Sequence, residues 1–495
     1  MTDRTPQPLG EGESGAAVDR SRPRLLLLSY HFPPGPGTGG ARWAKLWPLL
    51  RDRGWGLDVV TLDPACLADP EWDRLKRLPE GLRVYGAPQP RVWLERLEDV
   101  LGTLHGALEG RSGDGPGSAA PAPAGADDEL LPGLRGVPVD AVRPLWSSPR
   151  ALLRAYWSRI DQARQRAWIR GALDRARQVV DPGLHRIVAT TGPPHLTHAG
   201  GRVLAGETDL PLAIDFRDPW KVTEVLPEHL ASPVWLGQAG REEPRCVERA
   251  SLVVANTEAL RARLVSEYPE AADRIIDVPN GWAPPIGTGV EPPERFVIAY
   301  AGAIYLDRNP RGLMKAVASL AGRRGLSPDE LSLEFMGDME ALGPGLVAMA
   351  DQEGVGDHLR LHPQSPRDRA RRFLSRASVL LSLPQSQTLA VPSKIFDYMT
   401  LPAWIVAQAR PESATARMLE GTGADVVPPD DHAGLVRTLE RLHDAYVRSG
   451  RPSPLAEACP DLRVDAVAEP LLERLERWRG PVADQTPPSQ ERSLP

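Results

Sequence analysis

Apolar and polar positions along this chain spell out two α/β units in succession. Leu25–Leu28 is a continuous apolar run of strand length, residues 41–53 carry apolar side chains at helical spacing, and "LDVVTL" reads as a second strand. A strand, a helix and a strand in that order form a right-handed crossover between parallel neighbours. After a helix over about 150–179, the stretches "RIVATTGPP", "LPLAIDFRDPW" and "ASLVVANT" add further strands that end in turns or loops. The pattern restarts at "RFVIAYAGAIY". Helices follow over 309–323 and 341–354, with strands in "LSLEFMGD", "LRLHPQS", "ASVLLSLP" and "AWIVAQ". The fold expected is α/β, with two Rossmann-like domains facing a cleft.

Composition shifts mark the joints. Residues 1–22 and 481–495 read as disordered tails, and 109–139, rich in Gly, Pro and Ala, as a flexible low-complexity insertion. The Pro/Gly/Glu-rich stretch 283–294 reads as a linker. The expected division is an N-terminal domain over 23–284 and a C-terminal domain over 285–460. A last helix falls within 461–480.

The chain has 495 residues, 41% of them hydrophobic, enough for two ordinary cores. A net charge of −6 gives no support for a dedicated nucleic-acid binder. Cys66, Cys246 and Cys459 are isolated, with neither metal-like spacing nor an even disulfide set, which fits a reducing cytoplasm. The first residues lack the apolar core of a signal peptide, and no window approaches the roughly 20 apolar residues that span a bilayer. The expectation is a soluble protein, at most peripheral at the inner face of the membrane. The helix at 150–177 bears eight arginines against two aspartates, with Leu153, Trp157, Ile160, Ala163 and Ala167 at helical spacing. That stripe suits a core helix with a solvated basic face, or docking on an anionic membrane.

Four stretches carry candidate chemistry. "SYHFPPGPGTGG" puts Gly39 and Gly40 between a strand and a helix, where backbone N–H groups can approach an anion. A plain flexible loop would look the same, and the spacing is not the dinucleotide fingerprint. "IDFRDPW" places Asp215, Arg217 and Asp218 just past a buried strand, where ligands of open parallel sheets bind. An Arg217–Asp pair that merely shapes the loop is the alternative. "YAGAIYLDRNP" brings Arg308 six residues after Gly302, so its guanidinium can reach the cleft and clamp a phosphate. A surface arginine near a helix start is the competing reading.

The fourth stretch is "VPSKIFDYM". Only five of the 59 basic residues are lysine, among them Lys394. GC-rich coding explains the ratio, yet a surviving lysine favours sites suited to a compact ammonium. Lys394 opens an apparent helix, where backbone amides and the ammonium can converge on a pyrophosphate. Asp397, three residues on, can accept hydrogen bonds from sugar hydroxyls. A surface Lys–Asp pair at i,i+3 would give the same spacing. Metal-ligand spacing is absent, so a metal-free mechanism is favoured.

Taken together, "SYHFPP…GTGGARWAKL", "TTGPPH", "DFRDPW", "VPNGW", "Y.GAIY..RNP" and "VPSKIFDYM", in this order over about 24–440, resemble a bacterial family-4-like retaining glycosyltransferase of the GT-B type. The resemblance implies two Rossmann-like domains and a final helix crossing back to the first. It implies transfer of a sugar from a UDP-, GDP- or dTDP-sugar, with retention, without an essential metal and with no tightly bound cofactor. By the family's motifs, Arg308 and Lys394 hold the diphosphate and stabilise the departing nucleotide, Asp397 holds the ribose, and Gly39–Gly40 approach the donor from across the cleft. The loop at His362 meets the base. Arg217 and Asp218 position the donor sugar or the acceptor.

The acceptor is left open, whether cell-surface polysaccharide, a lipid-linked glycan or a secondary metabolite. Two positions depart from the family pattern: Ala303 stands where many members have an arginine, and Leu389 where many have a sugar-binding glutamate. A non-catalytic scaffold is the rival reading, with a nucleotide-sugar epimerase behind it.

Overall fold

A computed structural model describes Leu9 and residues 22–93, 136–286, 290–291, 293–304 and 308–479. The expected tails, apart from Leu9 and Arg22, lie outside these residues, as does most of the expected insertion. The last residues of that insertion are ordered: β4 (Gly136–Pro138) pairs antiparallel with β7 (Val225–Pro227).

The first sheet has seven parallel strands. β1 (Arg24–Ser29), β2 (Gly56–Leu62) and β3 (Leu82–Ala87) build one flank; β5 (His185–Gly192), β6 (Leu212–Phe216), β8 (Leu252–Ala255) and β9 (Ile275–Asp277) build the other. The order is β3-β2-β1-β5-β6-β8-β9. Leu25, Leu26, Leu27 and Leu28 are all buried, which is why β1 is an unbroken apolar run: helices cover both faces of a parallel sheet.

The second sheet has six parallel strands: β10 (Phe296–Ala301), β11 (Leu331–Gly337), β12 (Leu359–Pro363), β13 (Val379–Ser382), β14 (Trp404–Gln408) and β15 (Asp425–Val427). Its order is β12-β11-β10-β13-β14-β15. In both sheets the chain reverses its direction of growth beside the first strand, between β1 and β5 and between β10 and β13. Such switch points open a crevice at the carboxyl ends of the strands, where ligands of α/β proteins bind.

The helix Ala41–Asp52 turns Trp43, Leu46, Trp47 and Leu50 inward, one stripe at helical spacing. Part of what covers them comes from the end of the chain. The helix Val464–Glu476 inserts Ala468, Leu471, Leu472 and Leu475 into the same core. Each buried leucine there contributes about 1.5–3 kcal/mol. Arg53 meets Glu469 at 2.6 Å, and Trp55 Nε1 donates to Glu476 Oε1 at 3.1 Å. The last helix therefore does cross back onto the first domain. Both passages of the chain between the sheets meet at Trp282. Its N–H donates to Leu462 O, its indole to Cys459 O at 2.8 Å, and its carbonyl accepts from Val464 N.

The long helix Pro149–Val179 differs from its expected register. Ile160 and Ala167 are buried, but Leu153 is 53% and Trp157 36% exposed. Small residues, Ala151, Ala155, Ala172 and Ala176, occupy much of the inward face instead. Alanine lets this helix lie close, so large side chains there would not fit.

Candidate functional site

The carboxyl ends of β10 and β13 assemble one wall. Past β10 the backbone turns at Gly302, with φ of 120°, a conformation that favours glycine. A Cβ there would stand 2.9 Å from Lys394 Nζ. Lys394, at the start of the short helix Lys394–Tyr398, donates to Ala301 O at 2.8 Å and lies 3.9 Å over the Tyr300 ring. Arg308, buried at 7% exposure, donates from Nη1 to Ala303 O at 3.2 Å. Burial, with Arg308 nearby, holds the Lys394 ammonium well below the usual lysine range. Two cations thus share one strand end, a costly arrangement without an anion between them.

Gln385 ties this wall together. Its Oε1 accepts from Asn309 N at 2.6 Å, and its Nε2 donates to Asn309 O at 3.0 Å. That clamp fixes the segment after Arg308 to the turn before Lys394.

The facing wall rises from β1, β5 and β6. Gly39 and Gly40 form a 3-10 turn that leads into the helix Ala41–Asp52. They are glycines because of close approach: a Cβ on Gly39 would lie 2.5 Å from Arg217 Nη1, and one on Gly40 2.5 Å from His31 O. Arg217 bonds the carbonyls of Gly192 (Nε, 3.2 Å) and Pro193 (Nη2). Asp215 is not past the strand but inside it. It is buried and accepts from Arg42 Nε at 3.1 Å, Trp43 Nε1 at 2.9 Å and Thr191 Oγ1 at 3.0 Å. Its role is to anchor the first helix. Asp218 faces the cleft; burial pushes its carboxyl up, against the pull of Arg217 and then Arg308. Arg308 comes from the other domain, so the two walls lie within electrostatic reach.

Asp397 and Lys394 do not pair with each other. Asp397 Oδ1 takes Lys45 Nζ at 3.1 Å from across the cleft, and Oδ2 takes Arg367 at 2.9 Å. His362 sits on β12, its Nε2 3.0 Å from Glu334 and its ring 4.8 Å from Phe373. Its side chain is thus committed within its own domain. Leu389 packs against the first domain's core, and its carbonyl accepts from Thr257 Oγ1 at 2.6 Å.

Lys45, Arg367, Trp220 and Trp235 escaped the sequence reading. Nothing but tertiary contact links Lys45 to Asp397, although "GTGGARWAKL" had contained it. The two tryptophans line a cavity of about 400 Å³ between the domains, together with Asp218 and Leu389.

No family model and no curated protein matches this chain. Solved structures do share its fold. Anabaena HepE, in complex with UDP and glucose, superposes with a TM-score of 0.56 at 13% identity, over 92% of this chain and 100% of that one. Sucrose-phosphate synthase from Thermosynechococcus elongatus gives 0.53 at 15% identity, over 92% and 98%. An α,α-trehalose-phosphate synthase (UDP-forming) from Burkholderia xenovorans, in complex with glucose-6-phosphate, gives 0.52 at 12%, over 92% and 100%. The architecture is therefore of the GT-B type, two Rossmann-like domains with parallel sheets. At these identities the likeness is one of fold.

Proposed function

We propose that the protein is a retaining glycosyltransferase that moves a hexose from a nucleotide sugar to an acceptor. The observation that carries this reading is the pairing of Arg308 and Lys394 at the switch point of the second sheet, opposite the glycine turn of the first. A diphosphate between them would relieve the repulsion of two buried cations and gain charge-assisted hydrogen bonds. The same cations stabilise the charge that grows on the leaving nucleotide, with no metal required for that step. Gly39 and Gly40 approach the diphosphate from the first domain, Asp397 receives the ribose, and the backbone near His362 meets the base. Arg217 and Asp218 position the reacting sugar. This reading assigns no enzymic nucleophile, so the acceptor attacks from the face the nucleotide leaves. We place the reaction in polysaccharide, glycolipid or secondary-metabolite assembly on the cytoplasmic side. No helix among the described residues is long and apolar enough to cross a membrane.

A scaffold without catalysis is favoured by one observation. Leu389 fills, with an apolar side chain packed between the domains, the position where a sugar-binding carboxylate belongs by resemblance. Calorimetry with UDP-, GDP- and dTDP-sugars in the presence of chelator tests both, with Lys394→Ala alongside. Binding of one donor, lost in the variant, followed by turnover supports the transferase. Binding without turnover over an acceptor panel supports the scaffold; no binding by folded protein overturns the nucleotide site itself.

A further inference from the structure

The cavity beside the donor wall has a composition of its own. Asp161 enters it from the long helix, Glu224 from the loop before β7, and Asp218 from the end of β6. Among the described residues that line it there is no lysine or arginine. His31 and His195 also border it and stay neutral near pH 7. Burial, aided by Arg217, lowers His31 to about 4, and burial, with His198 and Arg217 nearby, holds His195 well below its ordinary value. Arg217, which acts on Asp218, is spent on the carbonyls of Gly192 and Pro193, and Arg164 acts on Asp161 from outside the lining. An anion in this cavity would face three acidic side chains, two of them (Asp161 and Asp218) pushed up by burial, and no counter-charge on the lining, which is unfavourable in a partly desolvated space.

Other features of the cavity point to a ring. Trp235, half-buried on the wall, gives it flat apolar surface of the kind that packs on sugars and attracts cations, with the buried Trp220, stacked on His195, behind it. Gln238 is 3% exposed, and its Nε2 has no hydrogen-bond partner. A buried donor left unpaired is costly, and a ligand oxygen would satisfy it. The volume, about 400 Å³, falls within the roughly 300–1,000 Å³ of small-molecule sites. Asp218 places the cavity next to the leaving-group cations, since Arg308 acts on its carboxyl.

We propose that this cavity binds the acceptor, and that it selects a hydroxylated ring bearing an ammonium or no charge and rejects a phosphorylated one. The inference rests on the reading of the neighbouring cations as a nucleotide-sugar site. Trp235 supplies the ring platform, Gln238 donates to a ring hydroxyl, and Asp161 and Glu224 set the charge preference.

The test uses the full chain saturated with UDP, with glucosamine, glucose and glucose 6-phosphate as probes in saturation-transfer NMR. UDP binding is measured first and separately, so that its absence overturns the nucleotide site and its presence leaves the acceptor question standing alone. The expected result is binding of glucosamine and glucose, weakened in Trp235→Ala, with glucosamine favoured roughly tenfold. Asp161→Asn should bring those two toward parity without admitting the phosphate. Glucose 6-phosphate binding as well as glucosamine, or none of the three probes binding to UDP-loaded protein, would overturn the proposal.

Discussion

Lys45 Nζ and Asp397 Oδ1 meet 3.1 Å apart across the interdomain cleft, 352 positions apart in the chain. Burial pushes the Asp397 carboxyl up, but Lys45 and Arg367 more than offset it, so it stays ionised. The carboxylate proposed to take the ribose thus also holds the two domains together. Lys45→Met is expected to cost under about 1 kcal/mol, because the pair is partly exposed and screened. Deuterium exchange should nevertheless rise in residues 41–52 and 394–400 together. A rise in only one segment would mean that the contact does not couple the domains.

Lys394 gives a pH prediction. Its ammonium is held below the ordinary value by burial and then by Arg308. In the folded protein the charged form is therefore penalised, fully so below the folded pKa, and the penalty fades as pH rises toward the unfolded value. A bound diphosphate reverses the preference. UDP binding should therefore take up protons, and affinity should fall as pH rises through the alkaline range. Calorimetry in buffers of different ionisation heat reads the uptake. Lys394→Met should lose on the order of tenfold to a hundredfold in UDP affinity while gaining thermal stability.

Gly39→Ala tests the contact between the glycine turn and Arg217. The added Cβ would sit 2.5 Å from Arg217 Nη1 and 2.8 Å from His31 Cβ, so the turn or the guanidinium must move. Turnover should drop on the order of a hundredfold, as small misplacements near reacting groups do, with little change in Tm. Gly206→Ala, in a helix with nothing within 4 Å of the new methyl group, is the matched control and should be neutral or stabilising.

The fully buried Asp58 anchors the first sheet away from the cleft. It takes Arg24 at 2.5 Å, His185 at 2.9 Å and Arg83. Burial opposes ionisation, yet the bonds from His185, Arg83 and Arg24 prevail and hold the carboxyl well below the usual range. Its stabilising contribution is complete above the unfolded value near 4 and is lost as pH falls toward the folded one. Asp58→Asn should cost about 3–5 kcal/mol at pH 7, because the cations around it remain. The difference in Tm from the native chain should narrow below pH 4.

Where the sequence was legible, burial on both faces made it so. Leu25–Leu28 and Ile298–Tyr300 needed no partner to read as central parallel strands, and their order placed Gly39, Arg217, Arg308 and Lys394 at carboxyl ends. The long helix misled because periodicity weighs large side chains: Leu153 and Trp157 stood out, while the alanines that face the core are silent in such a pattern. Asp215 read as a loop charge because nothing local announces that Arg42, 173 positions away, pays for its burial. The Lys45–Asp397 contact and the tryptophan-lined cavity are products of the domains meeting, and Arg367 reaches Asp397 from 30 positions away within the second domain, so no short window of sequence contains both sides.

Trp282 has a mechanical consequence. The outgoing and returning chains are stitched there by three hydrogen bonds, two of which form a parallel β-bridge between Trp282 and Arg463, so the lobes share a two-ply pivot rather than two independent tethers. A two-ply joint resists sideways splaying and leaves rotation about one axis as the soft motion. Opening the mouth would then swing Lys394 and Asp397 along a fixed arc past Arg217 and Lys45. Each return stroke would bring the same atoms back into register.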